Sequence, residues 1–275
     1  MNIWKKETGD YLISTSDSSK ELNAVLVESR PYEDKNKHGT ISRFSVSEIY
    51  GELLAYKEGD RLTGEELASK SKAAGMPAEF MSKYAKDIIW SYYPEKFQED
   101  VKKYLNGYIL HFSEAAALGK GIFIFSGTSG NGKTLMACAV LNEITKRYIN
   151  AKGRFTTAQN YVDLVTSKTE SERDESKRIR DVGLLIIDDA TEGIDKDWKK
   201  DVLQQLIVYR SDNHYPTIYT ADCKIEELPF PGKTIDRIYS DSFPIPVPDV
   251  PIRRQIGQQD VKNFVNRILE EPTQA

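Results

Sequence analysis

The chain is 275 residues long, room for one large domain or a large domain with a small companion. Hydrophobic residues at 39% and charged residues at 29% describe a soluble globular protein, and no run approaches the roughly 18 apolar residues of a membrane-spanning helix. Lys and Arg number 38 against 42 Asp and Glu, so overall basicity is excluded as a way of holding nucleic acid, and any such contact has to come from a local patch.

Two cysteines, Cys138 and Cys223, have no CxxC partner, which argues against zinc and against a disulfide framework. The N-terminus has no apolar signal segment, so a cytoplasmic location is expected. Residues 10–15 fit a strand, 20–28 a short helix, and 30–40 a polar loop with Pro31 and Gly39. Residues 46–56 place Val46, Ile49, Tyr50, Leu53 and Leu54 at helical spacing. A second helix is expected over 63–74, with Thr63 as N-cap and Glu66 at the capping-box position. Two such helices meeting at Gly75 would make a helix-turn-helix. The region lacks a basic recognition face, and composition favours a small helical adaptor.

Ala74-Gly75-Met76-Pro77 marks a joint. Phe80, Tyr84, Trp90, Tyr92, Tyr93 and Phe97 follow, as core or as a platform for a nucleotide base; aromatics of this kind are more often core. A long helix is expected over 95–118, leading to an apolar strand, Gly121-Ile122-Phe123-Ile124-Phe125.

Directly after that strand stands Gly127-Thr128-Ser129-Gly130-Asn131-Gly132-Lys133-Thr134, a G-x-x-x-x-G-K-[ST] phosphate-binding loop, or P-loop. The glycines let successive backbone N–H groups turn toward phosphate oxygens. Lys133 is placed to reach the β- and γ-phosphates, and the Thr134 hydroxyl to ligate Mg²⁺. A helix starting near Lys133 and covering 135–149 aims its positive end at the anion. Its inner face is Leu135, Ala139, Val140, Leu141 and Ile144, with Cys138 as a small core residue. The motif implies ATP and Mg²⁺ as cofactors.

Beyond it, 154–157 reads as a strand and 158–169 as a helix. A mixed-sign run then carries Lys177, Arg178 and Arg180, either a solvated helix face or a contact for a phosphate backbone; mixed charge favours the solvated face. Leu184-Leu185-Ile186-Ile187 is a buried strand, and Asp188-Asp189 sits at its C-terminal end, where ligands bind in open α/β sheets. The first acid suits a Mg²⁺ site and the second can polarise a water. A helix is expected over 198–213, with Val202, Leu203, Leu206 and Ile207 inward, and a strand over 217–220, running into Ala221-Asp222. Asp236-Arg237 lies in a short segment at 234–239. A fifth strand at 243–247 tolerates Pro244 and Pro246 only at an edge, and Arg253-Arg254 follow. A helix over 259–270 carries Val261, Phe264, Val265 and Ile268 on one face.

The P-loop, the Leu-Leu-Ile-Ile-Asp-Asp strand, and Tyr209-Arg210 running to Pro216-Thr217-Ile218-Tyr219-Thr220-Ala221-Asp222 resemble the AAA+ ATPases of the DnaC/DnaI helicase-loader and IstB transposition-helper group. The resemblance spans about 75–253. It implies an α/β AAA+ fold with a five-stranded parallel sheet flanked by helices, behind a small N-terminal domain. The divisions it implies are a partner-binding region over 1–73, the ATPase domain over 74–258 and a helical tail over 259–275. Carried over by motif, Gly127 to Thr134 bind ATP, Thr134 and Asp188 hold Mg²⁺, and Asp189 stands in the place of the catalytic acid. Asp222 takes the sensor-1 position, Arg237 matches an arginine finger that serves a neighbouring subunit, and Arg253 matches the sensor-2 arginine. Residues 168–180 fall where relatives present a helix to single-stranded DNA.

Two departures stand out: Asp189 is shorter than the usual Glu, and Asp222 replaces an Asn and cannot donate when ionised. The function implied is ATP-dependent loading of a replicative helicase, with single-stranded DNA and self-association. The alternative is an IstB-like helper that binds duplex DNA and a transposase. A small-molecule kinase would need an arginine-bearing lid and an acceptor pocket, and neither pattern is seen. A nucleotide-binding interaction module with little hydrolysis is compatible with Asp189 and Asp222.

Overall fold

Five segments of five residues each build one parallel sheet. The computed structural model describes residues 2–5, 10–14, 21–25, 32–35, 41–49, 52–58, 64–148 and 151–270. In chain order the elements are β1 Asn2–Lys5, β2 Asp10–Ser14, β3 Glu21–Val25, β4 Tyr32–Lys35, β5 Ile41–Ile49, β6 Glu52–Glu58 and α1 Gly64–Ala73. They continue with α2 Glu95–Leu110, α3 Phe112–Ala117, β7 Gly121–Phe125, α4 Lys133–Arg147, β8 Gly153–Thr157, α5 Ala158–Thr166 and α6 Glu170–Arg180. The last are β9 Leu184–Asp188, α7 Asp197–Asp212, β10 Thr217–Ala221, α8 Gly232–Asp241, β11 Ser242–Pro246 and α9 Ile252–Glu270.

The sheet order is β11-β7-β10-β9-β8, with every neighbouring pair parallel. A parallel sheet needs both faces covered, which explains why β9 is apolar from Leu184 to Ile187. Successive side chains point to opposite faces. Leu184 and Ile186 pack with Ile122, Ile124, α4 and α2, whereas Leu185 and Ile187 pack with Phe123, Tyr219 and helices α5 to α8. Pro244 and Pro246 sit on β11, whose sheet neighbour among the described residues is β7 alone, so their missing N–H groups cost no ladder bond on that outer side. Helices α5 and α6 start at threonine caps: Thr157 Oγ1 accepts from Asn160 N–H at 3.1 Å, and Thr169 Oγ1 from Glu172 N–H at 3.4 Å.

Residues 64–93 wrap the outer side of α4. Ser71 Oγ donates to Asn142 Oδ1 at 2.9 Å, and Asn142 Nδ2 donates to Phe80 O and Lys83 O. Phe155 N–H donates to Ala74 O at 2.7 Å, which ties the joint to β8.

Several expectations need correction. Residues 21–25 are a strand instead of part of a helix, and Tyr32–Lys35 is a strand inside the expected loop. The helix expected over 46–56 is replaced by β5 and β6, paired antiparallel with Val46 opposite Ala55. Residues 43–47 alternate Arg, Phe, Ser, Val, Ser, a period of two, and Gly51 interrupts any helical stripe there. The helix-turn-helix is therefore not formed. Thr63 lies outside the described residues.

The helix expected over 95–118 breaks at His111, whose φ of −109° and ψ of 26° leave helical geometry between α2 and α3. Helix α5 ends at Thr166, and α9 begins at Ile252, seven residues before the expected start, and runs without interruption past residue 258. Val261, Phe264, Val265 and Ile268 are exposed on it. Among the described residues, no helix is long and apolar enough to cross a membrane.

Candidate nucleotide-binding site

The C-terminal ends of β7, β10 and β9 lie side by side, and their following residues converge. Gly130 and Gly132 have φ of 74° and 94°, the left-handed region in which a side chain is strained. At Gly132 a Cβ would also fall 2.5 Å from Tyr93 Oη. Tyr93 is buried and donates its hydroxyl to Asn131 O at 2.6 Å. In a trans peptide the carbonyl and the next N–H point opposite ways, so this bond turns the Gly132 N–H away from Tyr93. Burial pushes the Tyr93 phenol up to about 12, and it stays a donor.

Lys133 opens α4 and is buried, its ammonium folded into the loop. Nζ donates to Thr128 O at 2.7 Å, Ser126 Oγ at 2.8 Å and Asn131 Oδ1 at 3.1 Å. It also meets Asp222 Oδ1 at 2.6 Å. Asp222, after β10, is thus brought to the P-loop.

Asp188 ends β9 and is buried. Thr220 donates to its Oδ1 at 2.6 Å and Thr134 to its Oδ2 at 3.2 Å. Burial raises the carboxyl's pKa, against the pull of these two hydroxyls, Lys133 and Arg253. Asp189 has φ of 49°, uncommon for a residue with a side chain, and its N–H donates to Thr220 Oγ1 at 2.9 Å. Its carboxyl is pushed up to about 6, first by burial and then by Asp188, Glu192 and Asp222. Arg253, in the first turn of α9, donates its N–H to Gly130 O at 2.8 Å.

The donor set fits Mg-ATP. Left-handed glycines, a helix N-terminus and a buried lysine make an anion cradle. The Thr134 hydroxyl and the Asp188 carboxylate are adjacent hard oxygens, and Mg²⁺ takes one or two such ligands while keeping waters.

Arg237 is not brought here. It lies on α8 beside Thr217 and Ser242, the first residues of β10 and β11, bonded to Asp212 and to Ser211 Oγ at 3.3 Å. The three α6 cations expected to meet DNA are each paired: Lys177 with Asp174 at 2.8 Å, Arg178 with Glu175 at 3.6 Å, and Arg180 with Asp181 at 2.7 Å. Arg180 also lies 4.3 Å over the Tyr209 ring, beside a cleft of about 280 Å³ that Tyr161 and Lys177 share.

Sequence reasoning left out Tyr93 as a loop contact, Ser126, Thr220 as a ligand of the acids, and Asp249. Asp249 had one signal, a charged residue isolated in Val-Pro-Asp-Val-Pro.

A sheet of this order, with a P-loop after its second strand in space and paired acids after its fourth, is that of an AAA+ P-loop ATPase domain. The model of the bacterial DnaA ATPase domain matches residues 110–233. The replicative helicase loader DnaC of Escherichia coli (strain K12) is 27% identical over 113 residues, covering 38% of this chain and 44% of that protein. The match thus spans less than half the length of the curated relative. The crystal structure of DnaI superposes with a TM-score of 0.54 at 19% identity, over 63% of this chain and 95% of that one. That of the DnaC helicase loader gives 0.53 at 17%, over 62% and 100%. At such identities these structures show the fold. The chain carries an AAA+ domain similar to those of the DnaC/DnaI group.

Proposed function

We propose that the protein is an ATP-dependent loader of a replicative DNA helicase, acting in the cytoplasm. What supports this reading is the convergence of the P-loop, Asp188 and Asp222 at one sheet edge in a chain 27% identical to a replicative helicase loader over 113 residues. In this reading residues 1–73 bind the helicase, 74–258 form the ATPase, and 259–275 are a C-terminal tail.

Mg²⁺, which Thr134 and Asp188 would hold, would supply positive charge against that of the phosphates. The chain's own groups do the rest. The loop amides and Lys133 hold the phosphates, and Thr134 and Asp188 would hold the metal. Asp189 orients a water through a carboxylate one carbon shorter than Glu, which makes hydrolysis slow. Asp222 marks the γ-phosphate end and Arg253 reaches in from α9. Arg237 reaches no group of its own P-loop, and serves that of the next subunit. Single-stranded DNA lies against α6, its backbone near Lys177, Arg178 and Arg180.

The test is affinity capture with a tagged full-length chain and Mg-ATP, scored for a replicative helicase against a transposase. Recovery of the helicase, lost in Lys133→Ala, is expected. Recovery of a transposase in its place overturns the loader reading.

A further inference from the structure

The strap between β11 and α9 crosses the mouth of the P-loop. Val247 N–H donates to Phe125 O at 2.7 Å, Asn131 Nδ2 to Pro248 O at 3.2 Å, and Arg253 N–H to Gly130 O at 2.8 Å. Held between these bonds, Asp249 turns its carboxylate onto the loop. Oδ1 accepts from Gly127 N–H at 3.0 Å and from Thr128 Oγ1 at 3.1 Å. Oδ2 comes within 3.2 Å of where a Gly127 Cβ would stand, a contact that glycine leaves open. The loop's ammonium is also held by an acid, Lys133 by Asp222 at 2.6 Å. One amide of the loop, the Gly127 N–H, and its ammonium are thus occupied by carboxylates of the same chain.

We propose that Asp249 is an internal ligand of the phosphate-binding loop, one that a nucleoside triphosphate has to displace and that sets how tightly the nucleotide binds. The proposal rests on the reading of this loop as an ATP site. A phosphate and a carboxylate cannot share one N–H, and two anions held a few ångströms apart repel. Asp249 is exposed, so water replaces its two bonds when it leaves and its release is cheap. The loop donors lose little by the exchange, because a phosphate offers more acceptor oxygens than a carboxylate. The Gly127 N–H and the Thr128 hydroxyl are therefore held by an anion weak enough to be driven off by the intended one. Its cost appears as lowered affinity.

The experiment is equilibrium binding of Mg-ATP to the full chain, compared with Asp249→Ala and Asp249→Asn. Asp249→Ala removes the competitor and should bind about three- to tenfold tighter, the worth of one or two exposed hydrogen bonds. Asp249→Asn keeps the shape and one acceptor oxygen without the charge, and should fall between. Thermal midpoints without nucleotide confirm that each variant is folded. The rise in midpoint on adding Mg-ATP should be larger for Asp249→Ala than for the parent. Unchanged or weaker binding in a folded Asp249→Ala, with the parent binding ATP, overturns the proposal. If neither parent nor variants bind ATP, the nucleotide reading of the loop falls and this proposal falls with it.

Discussion

Thr220 and Asp188 share a hydrogen bond of 2.6 Å between strands β10 and β9, and the same Thr220 hydroxyl accepts the Asp189 N–H at 2.9 Å. One buried side chain thereby fixes both acids. Thr220→Val keeps the shape and removes the hydroxyl, leaving a buried Asp188 oxygen and the Asp189 N–H without that partner. Unfolding free energy should drop by about 1–3 kcal/mol, the usual cost of an unsatisfied buried polar group. Denaturant unfolding measures this, and an unchanged midpoint would show that water takes over both bonds.

The acids should separate by function. Asp188→Asn is expected to reduce Mg²⁺-dependent hydrolysis strongly. Asp189→Asn should leave ATP binding in place while turnover falls. The informative change is Asp189→Glu, whose longer side chain should raise the rate if Asp189 orients the attacking water. Steady-state phosphate release from the three variants decides the matter; normal turnover in Asp189→Asn removes the role.

Lys177, Arg178 and Arg180 are paired with acids on α6 or next to it, so DNA has to compete for them. Lys177→Ala, Arg178→Ala and Arg180→Ala together should weaken single-stranded DNA binding and lower the slope of log affinity against log salt by about two. ATP binding should be unchanged. A titration at several salt concentrations with the same affinity and slope as the parent would return α6 to a solvated face.

Arg237 faces Ser211 and Asp212, away from its own P-loop. If it works in trans, Arg237→Ala should keep ATP binding by the monomer and lose the concentration-dependent part of hydrolysis. A finger can be worth about 10³–10⁵ in rate, against about 0–1 kcal/mol for a surface ion pair. Mixing Arg237→Ala with Lys133→Ala should restore some turnover, since the second still offers Arg237 to the first. Light scattering establishes assembly; mixtures that assemble and stay inactive would mark the Arg237–Asp212 pair as structural.

Local chemistry made much of this protein legible in sequence. The P-loop needs its glycines, lysine and threonine within eight consecutive positions, and the strand before it is a short apolar run. The acids of β9 could be read because a strand buried on both faces is apolar along its length and its end is abrupt. The order of these motifs was enough for the sheet. Helix and strand boundaries were less legible where one short apolar run satisfies two periods, as over 46–56, or where a break such as His111 is a matter of backbone angle.

Through-space partners were decided by tertiary structure alone. Tyr93 meets Asn131 across 38 positions, Thr220 meets Asp188 across 32, and Asp249 meets Gly127 across 122. Hydrophobic periodicity reports which face of an element is buried, and carries no information about which distant element packs there. The parallel sheet sets that. It brings strand ends remote in sequence to one edge, and only there does an isolated aspartate become a ligand of the loop.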